Sequence, residues 1–183
     1  MLPFKYYADI FDGDYFTQLE NEIDFKQEMF NSKGDWILEP RKTSWMSDDL
    51  TNCLEYSNKK MYPNKMSPTI KKIQTILNDK FNIYFDSVLA NYYPDGKSAM
   101  RYHSDPINKW DTNFMVISFG IPRKFIFRRI DNYEEKHEYN ISNGDCIHMF
   151  NKCQDLYQHC IKRDNSISLP RISLVFKRLK SNI

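Results

Sequence analysis

Two histidines and an aspartate are the residues of this chain best suited to bind a metal ion. The 183 residues include only four histidines, and one of them begins the motif His103-Ser104-Asp105. In a β-strand, residues i and i+2 project from the same face, so His103 and Asp105 can converge on one ion. His159 lies in a later strand-like segment and is the natural third ligand. Two imidazoles and one carboxylate form a facial site that suits Fe(II) and leaves coordination positions open.

The His103-Ser104-Asp105 motif alone does not establish a metal site, because one HxD sequence can occur by chance in a chain of this size. The commoner explanation of such a histidine is a core or surface residue whose ring nitrogens have hydrogen-bond partners and bind no metal. The other strands strengthen the metal hypothesis, since they carry polar residues at the same i, i+2 spacing: Asn91 and Tyr93 in one, and Arg171, Ser173 and Lys177 in another. Arginine offers a fork of donors that suits a dicarboxylate. A metal and a charged cosubstrate would therefore give these buried polar groups partners.

Two helices are predicted among the first 80 residues, after a short initial strand. Asp12 or Asp14 is expected to cap a helix that runs to about Glu28. Ser67 is a natural cap for the second helix, with a proline at the first helical position. Residues 31–66 are rich in Asn, Ser, Asp and Lys, and we expect them to be less regular.

From residue 83 the pattern changes to short strands that are rich in β-branched and aromatic residues. Asp, Asn, Gly or Pro separates each strand from the next. Seven or eight such strands after two helices favour a β-sandwich or barrel with helices packed on one side. The sequence therefore predicts a mainly β protein with flanking helices, of the α+β class.

Composition excludes some classes of protein and leaves others open. The sequence has no apolar run long enough to cross a membrane and no evident secretory signal. We therefore expect an intracellular protein with free thiols. The net charge of +2 gives little support for a nucleic-acid partner. Three basic groups could follow a phosphate backbone, although solvated surface side chains are the commoner reason for such groups. They comprise Lys59, Lys60, Lys65, Lys71 and Lys72; Arg123, Lys124, Arg128 and Arg129; and Lys177, Arg178 and Lys180.

The chain resembles the AlkB-type dioxygenases, which remove alkyl groups from nucleic-acid bases. The family pattern is N-x-Y, a D-G turn, H-x-D, a strand ending in glycine, a G-D strand, a late histidine and R-x-N-x-T-F-R. The matching stretches are EPRKTSWMSD, VLANYYPDGKSAMRYHSD, ISFGIPRKFIFRR, NGDCIHMFNKCQDLYQHCI and PRISLVFK. The resemblance covers about residues 36–179, and its specificity lies in the ordered combination of these pieces.

This resemblance implies a double-stranded β-helix, the jelly-roll or cupin-like fold, and an oxygenase that uses Fe(II), 2-oxoglutarate and O2. Such enzymes convert 2-oxoglutarate into succinate while they hydroxylate a carbon of the substrate. A hydroxylated N-methyl group is then lost as formaldehyde. The implied substrates are bases of the 1-methyladenine or 3-methylcytosine type in DNA or RNA, which must be flipped out of a duplex to react.

The resemblance also implies how the chain is organised. We expect a single domain over residues 1–183, which is a monomer and does not bind a membrane. Residues 1–80 would form the N-terminal helices and a substrate lid, and residues 81–180 the β-helix core.

The resemblance assigns site roles residue by residue. The metal ligands of the family match His103, Asp105 and His159. Arg171 matches the arginine that pairs with the distal carboxylate of 2-oxoglutarate. The whole set of matched cosubstrate positions is Asn91, Tyr93, Arg171, Ser173 and Lys177.

Several positions depart from the family pattern or align only loosely. Lys177 stands in place of a second arginine and lacks its bidentate fork, and Ser173 replaces an asparagine. Ile107 occupies the position of an acid that contacts the damaged base. Trp45 and Tyr56 fall near base-contacting positions, but structural packing explains them equally well. Two alternatives therefore stay open: the same chemistry on RNA, a protein or a small molecule, and an inactive jelly roll that binds nucleic acid or another partner.

Overall fold

The computed structural model describes residues 1–32, 34–56 and 59–180. Strands predominate among its elements, as the sequence predicted. In chain order the elements are β1 (Phe4–Tyr7), α1 (Tyr15–Glu22), β2 (Lys26–Ser32), β3 (Asp35–Ser47), β4 (Leu54–Tyr56), β5 (Lys59–Met61), α2 (Pro68–Phe81), β6 (Ser87–Tyr93), β7 (Met100–His103), β8 (Phe114–Gly120), β9 (Arg123–Arg129), β10 (Lys136–Ile141), β11 (Cys146–Met149), α3 (Cys153–Leu156), β12 (Tyr157–Ile161) and β13 (Arg171–Lys177).

Two antiparallel sheets enclose an apolar core and form the predicted double-stranded β-helix. The larger sheet has the strand order β1-β11-β8-β13-β6-β3-β2, and the smaller has the order β10-β9-β12-β7. Strands β4 and β5 form a separate hairpin. Because most neighbouring strands are distant in sequence, residues far apart in the chain meet between the two sheets.

Strand β13 shows how the layers are built. Its residues Ile172, Leu174 and Phe176 are fully buried and belong to the core cluster that the helices cover. By strand alternation, the residues between them face the smaller sheet. Helices α1 and α2 contribute apolar side chains to the same cluster, namely Leu19, Ile70, Ile73 and Leu77.

Helix α2 confirms its predicted start. The Ser67 hydroxyl accepts a hydrogen bond from the Ile70 backbone N–H at 3.4 Å, and Pro68 is the first helical residue. The helix ends at Phe81 and is followed by Asn82, whose φ of 51° is the left-handed conformation in which asparagine commonly ends helices. None of the helices in the described ranges has the length and apolarity needed to cross a bilayer.

Helix α1 is shorter than the sequence predicted. Asp14 caps it by accepting a hydrogen bond from the Thr17 N–H at 3.1 Å. The helix nevertheless ends at Glu22 rather than near Glu28, because Ile23 is already extended. Residues 26–32 instead form β2, so pairing with β3 outweighs the local helical pattern.

The expected irregularity of residues 31–66 is wrong for much of the segment. Strand β3 is 13 residues long and lies inside the larger sheet, between β6 and β2. The β-helix core was expected to begin at residue 81, but the larger sheet also includes β1 and β2 from the N-terminal part of the chain. Pro40 has no backbone N–H with which to pair with a neighbouring strand. It can be accommodated in β3 because the β2–β3 register shifts between Gln27 and Met29, and a residue at such a bulge need not donate a hydrogen bond to the neighbouring strand.

Candidate metal and cosubstrate site

The structure brings the three predicted metal ligands together between the sheets. His103 on β7 and His159 on β12 are direct partners across the smaller sheet. Each of these histidines and Asp105 offers one ligand atom, and the three atoms lie within 4.8 Å of one another. This donor set, two imidazoles and a carboxylate, fits Fe(II).

Asp105 reaches the cluster by a different route from the one predicted. Strand β7 ends at His103, so Asp105 lies in the following loop rather than on the same strand. Its backbone N–H donates to Oε1 of Gln154 at 2.8 Å, and the Ser104 hydroxyl donates to the Tyr157 carbonyl at 3.0 Å. Two side-chain contacts therefore replace strand alternation in positioning the carboxylate.

The orientations of the two imidazoles are defined by their neighbours. His103 Nδ1 lies 2.8 Å from the Arg101 carbonyl oxygen. Because that oxygen can only accept, Nδ1 carries the proton and Nε2 is left for a metal. The His159 ring stacks on Phe125 at 5.3 Å between centroids, and its Nε2 is 3.6 Å from Oδ2 of Asp105.

Electrostatics at the cluster favour the protonation states that bind metals. Burial raises the pKa of Asp105, but Lys177, His159 and His103 together outweigh burial and hold the pKa below its usual range. Burial lowers the pKa of His159 to about 3. The site therefore presents an ionised carboxylate and a neutral imidazole, the forms that coordinate a divalent cation.

Lys177 lies beside the predicted metal ligands. Its side chain is 2% exposed, and its Nζ is 4.0 Å from Oδ1 of Asp105. The rings of Trp110 and Phe114 lie 5.4 and 5.1 Å from the same nitrogen. Lys177 therefore compensates the charge of Asp105 directly.

Arg171 presents an incompletely paired guanidinium to the space between the sheets. The residue is fully buried, and its Nε donates to the Ser118 hydroxyl at 2.8 Å. Its Nη1 and Nη2 atoms are also buried, and neither has a hydrogen-bond partner among the described residues. Burial lowers the pKa of Arg171 to about 10, although Tyr93, whose ring centre is 5.3 Å from Cζ, opposes this fall. Two free, parallel donors fit one carboxylate group of 2-oxoglutarate.

A row of polar side chains crosses the larger sheet beside Arg171. Thr43, Asn91, Ser173 and Ser118 occupy paired positions on β3, β6, β13 and β8. All four are buried. The row includes the predicted Asn91 and Ser173, whereas sequence reasoning missed the other two.

The site residues that sequence reasoning missed follow no pattern that would have identified them clearly. Ser118 stands two residues before Gly120, at an inward position of a strand that is otherwise apolar. Arg41 donates from Nε to the Asn91 side-chain oxygen at 2.8 Å, yet it lies in the segment expected to be irregular. Gln154 belongs to the short helix α3, where no strand pattern could mark it.

The three residues matched loosely to base contacts have different environments. Trp45 is fully buried, donates from Nε1 to the Asn52 carbonyl at 2.7 Å and meets Trp110 edge-on. Its position supports the packing interpretation. Ile107 is half-buried against the core between the sheets. The side chain of Tyr56 lies outside the described part of the chain.

The predicted basic groups include several buried side chains that cannot meet a phosphate backbone. Lys59 is bound to Glu39 at 2.8 Å, with 7% of its side chain exposed. Arg123 is 1% exposed and donates to the carbonyls of residues 95, 96, 98 and 162. Lys177, described above, is also buried. These buried side chains are therefore neither phosphate contacts nor solvated surface groups, whereas other members of the three basic groups are exposed.

A two-His, one-Asp cluster inside a double-stranded β-helix agrees with the match to known families. The chain belongs to the 2OG-Fe(II) oxygenase superfamily, whose pattern matches residues 12–178. This family uses Fe(II), 2-oxoglutarate and O2, which confirms the predicted cofactors. Within it, the similarities point to the AlkB family, as the sequence predicted.

Three relatives show the extent of the similarity. An uncharacterized protein of Acanthamoeba polyphaga mimivirus is 32% identical over 99% of this chain and 96% of its own length. The mouse alpha-ketoglutarate-dependent dioxygenase alkB homolog 3 is 25% identical, over 93% of the chain and 63% of that protein. The bovine DNA oxidative demethylase ALKBH2 is 23% identical, over 91% and 64%. The chain thus spans less than two thirds of each of these two mammalian proteins.

Solved structures support the fold. The structure of OsALKBH1 superimposes with a TM-score of 0.70 at 11% identity, covering 97% of this chain and 99% of that one. A 2OG-Fe(II) oxygenase family oxidoreductase from Burkholderia pseudomallei gives a TM-score of 0.61 at 14% identity, covering 96% of this chain and 84% of that one. At these identities the likeness concerns the fold alone.

The Gln154 contact makes a testable prediction about metal binding. Gln154→Leu removes the acceptor that holds the Asp105 backbone, so we expect the affinity for Fe(II) or Mn(II) to fall by about tenfold or more. Calorimetric titration under anaerobic conditions measures this loss. Gln158→Leu is the matched control, because Gln158 adjoins His159 but binds Arg128 instead. Equal metal affinities in wild type and Gln154→Leu would show that the contact does not position Asp105.

Proposed function

We propose that this chain oxidatively demethylates bases of the 1-methyladenine or 3-methylcytosine type in DNA or RNA. In this proposal His103, Asp105 and His159 bind Fe(II), and Arg171 binds 2-oxoglutarate. One observation carries the assignment: a convergent ligand cluster and a buried guanidinium both lie between the sheets, and two nitrogens of that guanidinium have no hydrogen-bond partner among the described residues. A divalent cation and a dicarboxylate would satisfy both.

The bound cofactors would supply the oxidising chemistry, in which 2-oxoglutarate and O2 yield succinate and CO2 while one oxygen atom enters a carbon–hydrogen bond of the substrate. The residues of the chain would position and shield this reaction. Arg171 would hold a carboxylate of the cosubstrate, and Lys177 would keep Asp105 ionised. The rings of Phe125 and Trp110 would help to exclude water from the site. A hydroxylated N-methyl group then loses formaldehyde and leaves the unmodified base.

The names of the mammalian relatives support a nucleic-acid substrate, since they include a DNA oxidative demethylase. Exposed cations give weaker physical support. Arg101 is exposed two residues before His103, and Lys97 and Arg163 are exposed on loops joined by the hydrogen bond from Arg163 Nε to the Lys97 carbonyl at 3.1 Å. Such side chains can contact phosphates.

The decisive experiment offers the iron-loaded protein a panel of methylated single-stranded and double-stranded DNA and RNA oligonucleotides. We expect formaldehyde release that matches succinate formation. Phosphate contacts would also make the logarithm of binding affinity fall linearly with the logarithm of salt concentration. Robust succinate formation without demethylation of any oligonucleotide would instead indicate a protein or small-molecule substrate.

Ile107 tests whether a base occupies the position implied by the resemblance. An apolar side chain there cannot accept a hydrogen bond from an exocyclic amine. We expect Ile107→Asp to raise the demethylation rate on 3-methylcytosine oligonucleotides by about threefold to tenfold, the effect of one net hydrogen bond. Ile107→Val, which stays apolar, should give no gain. A rate for Ile107→Asp equal to or below that of Ile107→Val would place the base elsewhere.

A further inference from the structure

A chain of buried polar side chains links the β4–β5 hairpin to the proposed cosubstrate site. Lys59 on β5 contacts Glu39 on β3, with 2.8 Å between Nζ and Oε1. Oε2 of Glu39 is 3.6 Å from Nη2 of Arg41, and Arg41 Nε donates to the Asn91 side-chain oxygen at 2.8 Å. The three charged side chains are between 3% and 7% exposed, and Asn91 is 4% exposed. The polar chain is therefore almost completely withdrawn from water.

The contact with Arg41 decides which way the Asn91 amide points. An arginine side chain can only donate hydrogen bonds, so the atom of Asn91 that faces Arg41 must be its carbonyl oxygen. The Asn91 NH2 group is then left as a donor in the row that includes Ser173 and Ser118. A donor is the group that a carboxylate requires, whereas the opposite amide orientation would repel one.

Packing alone does not require such an arrangement. Buried ionic groups are costly to desolvate, and apolar residues of similar size often stabilise a fold equally well. The hairpin also has apolar anchors, since Leu54 and Met61 are buried in the core between the sheets. The ionic chain thus adds a specific link between the hairpin and Asn91.

We propose that Lys59, Glu39 and Arg41 are positioning residues that hold Asn91 as a carboxylate donor and couple the hairpin to 2-oxoglutarate binding. This inference rests on the proposed role of Asn91 in the cosubstrate site. Coupling is reciprocal, so a hairpin detached from Glu39 weakens 2-oxoglutarate binding, and bound 2-oxoglutarate stabilises the hairpin.

The first test measures 2-oxoglutarate affinity by calorimetry on the Mn(II)-loaded protein. Lys59→Met should weaken binding by about tenfold, within the usual range of coupling between sites. Lys60→Met is the matched control on the same strand, because Lys60 is half-exposed and forms its ion pair with the exposed Glu55, at 3.7 Å, rather than with Glu39. Lys59→Arg should restore most of the affinity. In an Asn91→Ala background, Lys59→Met should cause no further loss.

The second test measures amide hydrogen exchange of β5, residues Lys59–Met61. We expect 2-oxoglutarate to slow this exchange in wild type and in Lys59→Arg, but not in Lys59→Met. Arg41→Lys tests the same link if Lys59→Met unfolds the hairpin, because it keeps a charge beside Glu39 but loses the guanidinium donor to Asn91. It should also weaken 2-oxoglutarate binding.

The outcomes separate this inference from the proposed function. If the wild-type protein binds no 2-oxoglutarate, the proposed function fails, and the coupling fails with it. If the wild type binds 2-oxoglutarate and both Lys59→Met and Arg41→Lys bind it equally well, only the coupling is overturned. Exchange of β5 that does not respond to 2-oxoglutarate in the wild type would likewise overturn the coupling.

Discussion

Replacing His103 with alanine is expected to reduce succinate formation from 2-oxoglutarate to background. His103 would provide one of three metal ligands, and its direct strand partner His159 would provide another. Two remaining ligands would not hold Fe(II) in a facial site, so turnover stops even without a nucleic-acid substrate. Asp105→Ala should have the same effect, because it leaves two neutral imidazoles. Succinate measured after incubation with Fe(II), ascorbate, O2 and 2-oxoglutarate gives the result.

His137→Ala is the control for these variants. His137 lies on β10 and contacts Glu135 at 3.5 Å rather than the metal cluster. Its variant should retain succinate formation. Thermal unfolding of each variant should show that the fold persists, since His103 and Asp105 are not part of the apolar core. Succinate formation by folded His103→Ala at the wild-type rate would exclude the assigned metal site.

Arg171→Met is expected to weaken 2-oxoglutarate binding on the order of a hundredfold, because a charge-assisted bidentate contact contributes a few kcal/mol. The same substitution should increase the stability of the protein without ligands. Arg171 is fully buried, and the part of the chain that the structure describes offers no partner to two of its nitrogens, so its charge destabilises the unliganded fold. A methionine of similar length should raise the free energy of unfolding by roughly 1–2 kcal/mol.

Thermal unfolding with and without 2-oxoglutarate measures both effects of Arg171→Met. At about 100 times the wild-type dissociation constant, the ligand should stabilise the wild type by about 2.7 kcal/mol and the variant by only about 0.4 kcal/mol. Arg171→Lys keeps the charge but loses the fork, so its affinity should lie between the two. Unchanged 2-oxoglutarate affinity in Arg171→Met would remove Arg171 from the cosubstrate site.

The β core was predictable because its strands follow simple rules. In β13, apolar residues alternate with Arg171, Ser173 and Lys177, and the structure uses the two sets on opposite faces of the sheet. Helix α2 was predictable for a similar reason, since Ser67 and Pro68 fix its start. Local sequence determines these elements, and tertiary contacts reinforce them.

Strand β3 was not predictable because it breaks the pattern that identifies strands. Its inward positions include Glu39, Arg41 and Thr43, so the sequence of this buried face resembles that of a polar loop. Pro40 in the middle of the strand also argues against a strand when only the sequence is considered. Only the partners supplied by other elements, such as Lys59 and Asn91, make burial of these groups tolerable.

Contacts between distant parts of the chain also decide details that the sequence does not show. His103 and Asp105 converge as expected, but the contact with Gln154 rather than strand alternation places the carboxylate. Lys59 and Lys60 are adjacent in one basic group, yet the first is buried beside Glu39 and the second is half-exposed. Burial depends on which strand covers each side chain, and no single-sequence pattern carries that information.

A crystal structure of the protein grown with Mn(II) and 2-oxoglutarate tests the central claim most directly. We predict one metal ion bound by Nε2 of His103, Nε2 of His159 and the Asp105 carboxylate. The distal carboxylate of 2-oxoglutarate should lie on the two terminal nitrogens of Arg171. A metal ion held by other residues, or a 2-oxoglutarate molecule that leaves those nitrogens unpaired, would contradict the account.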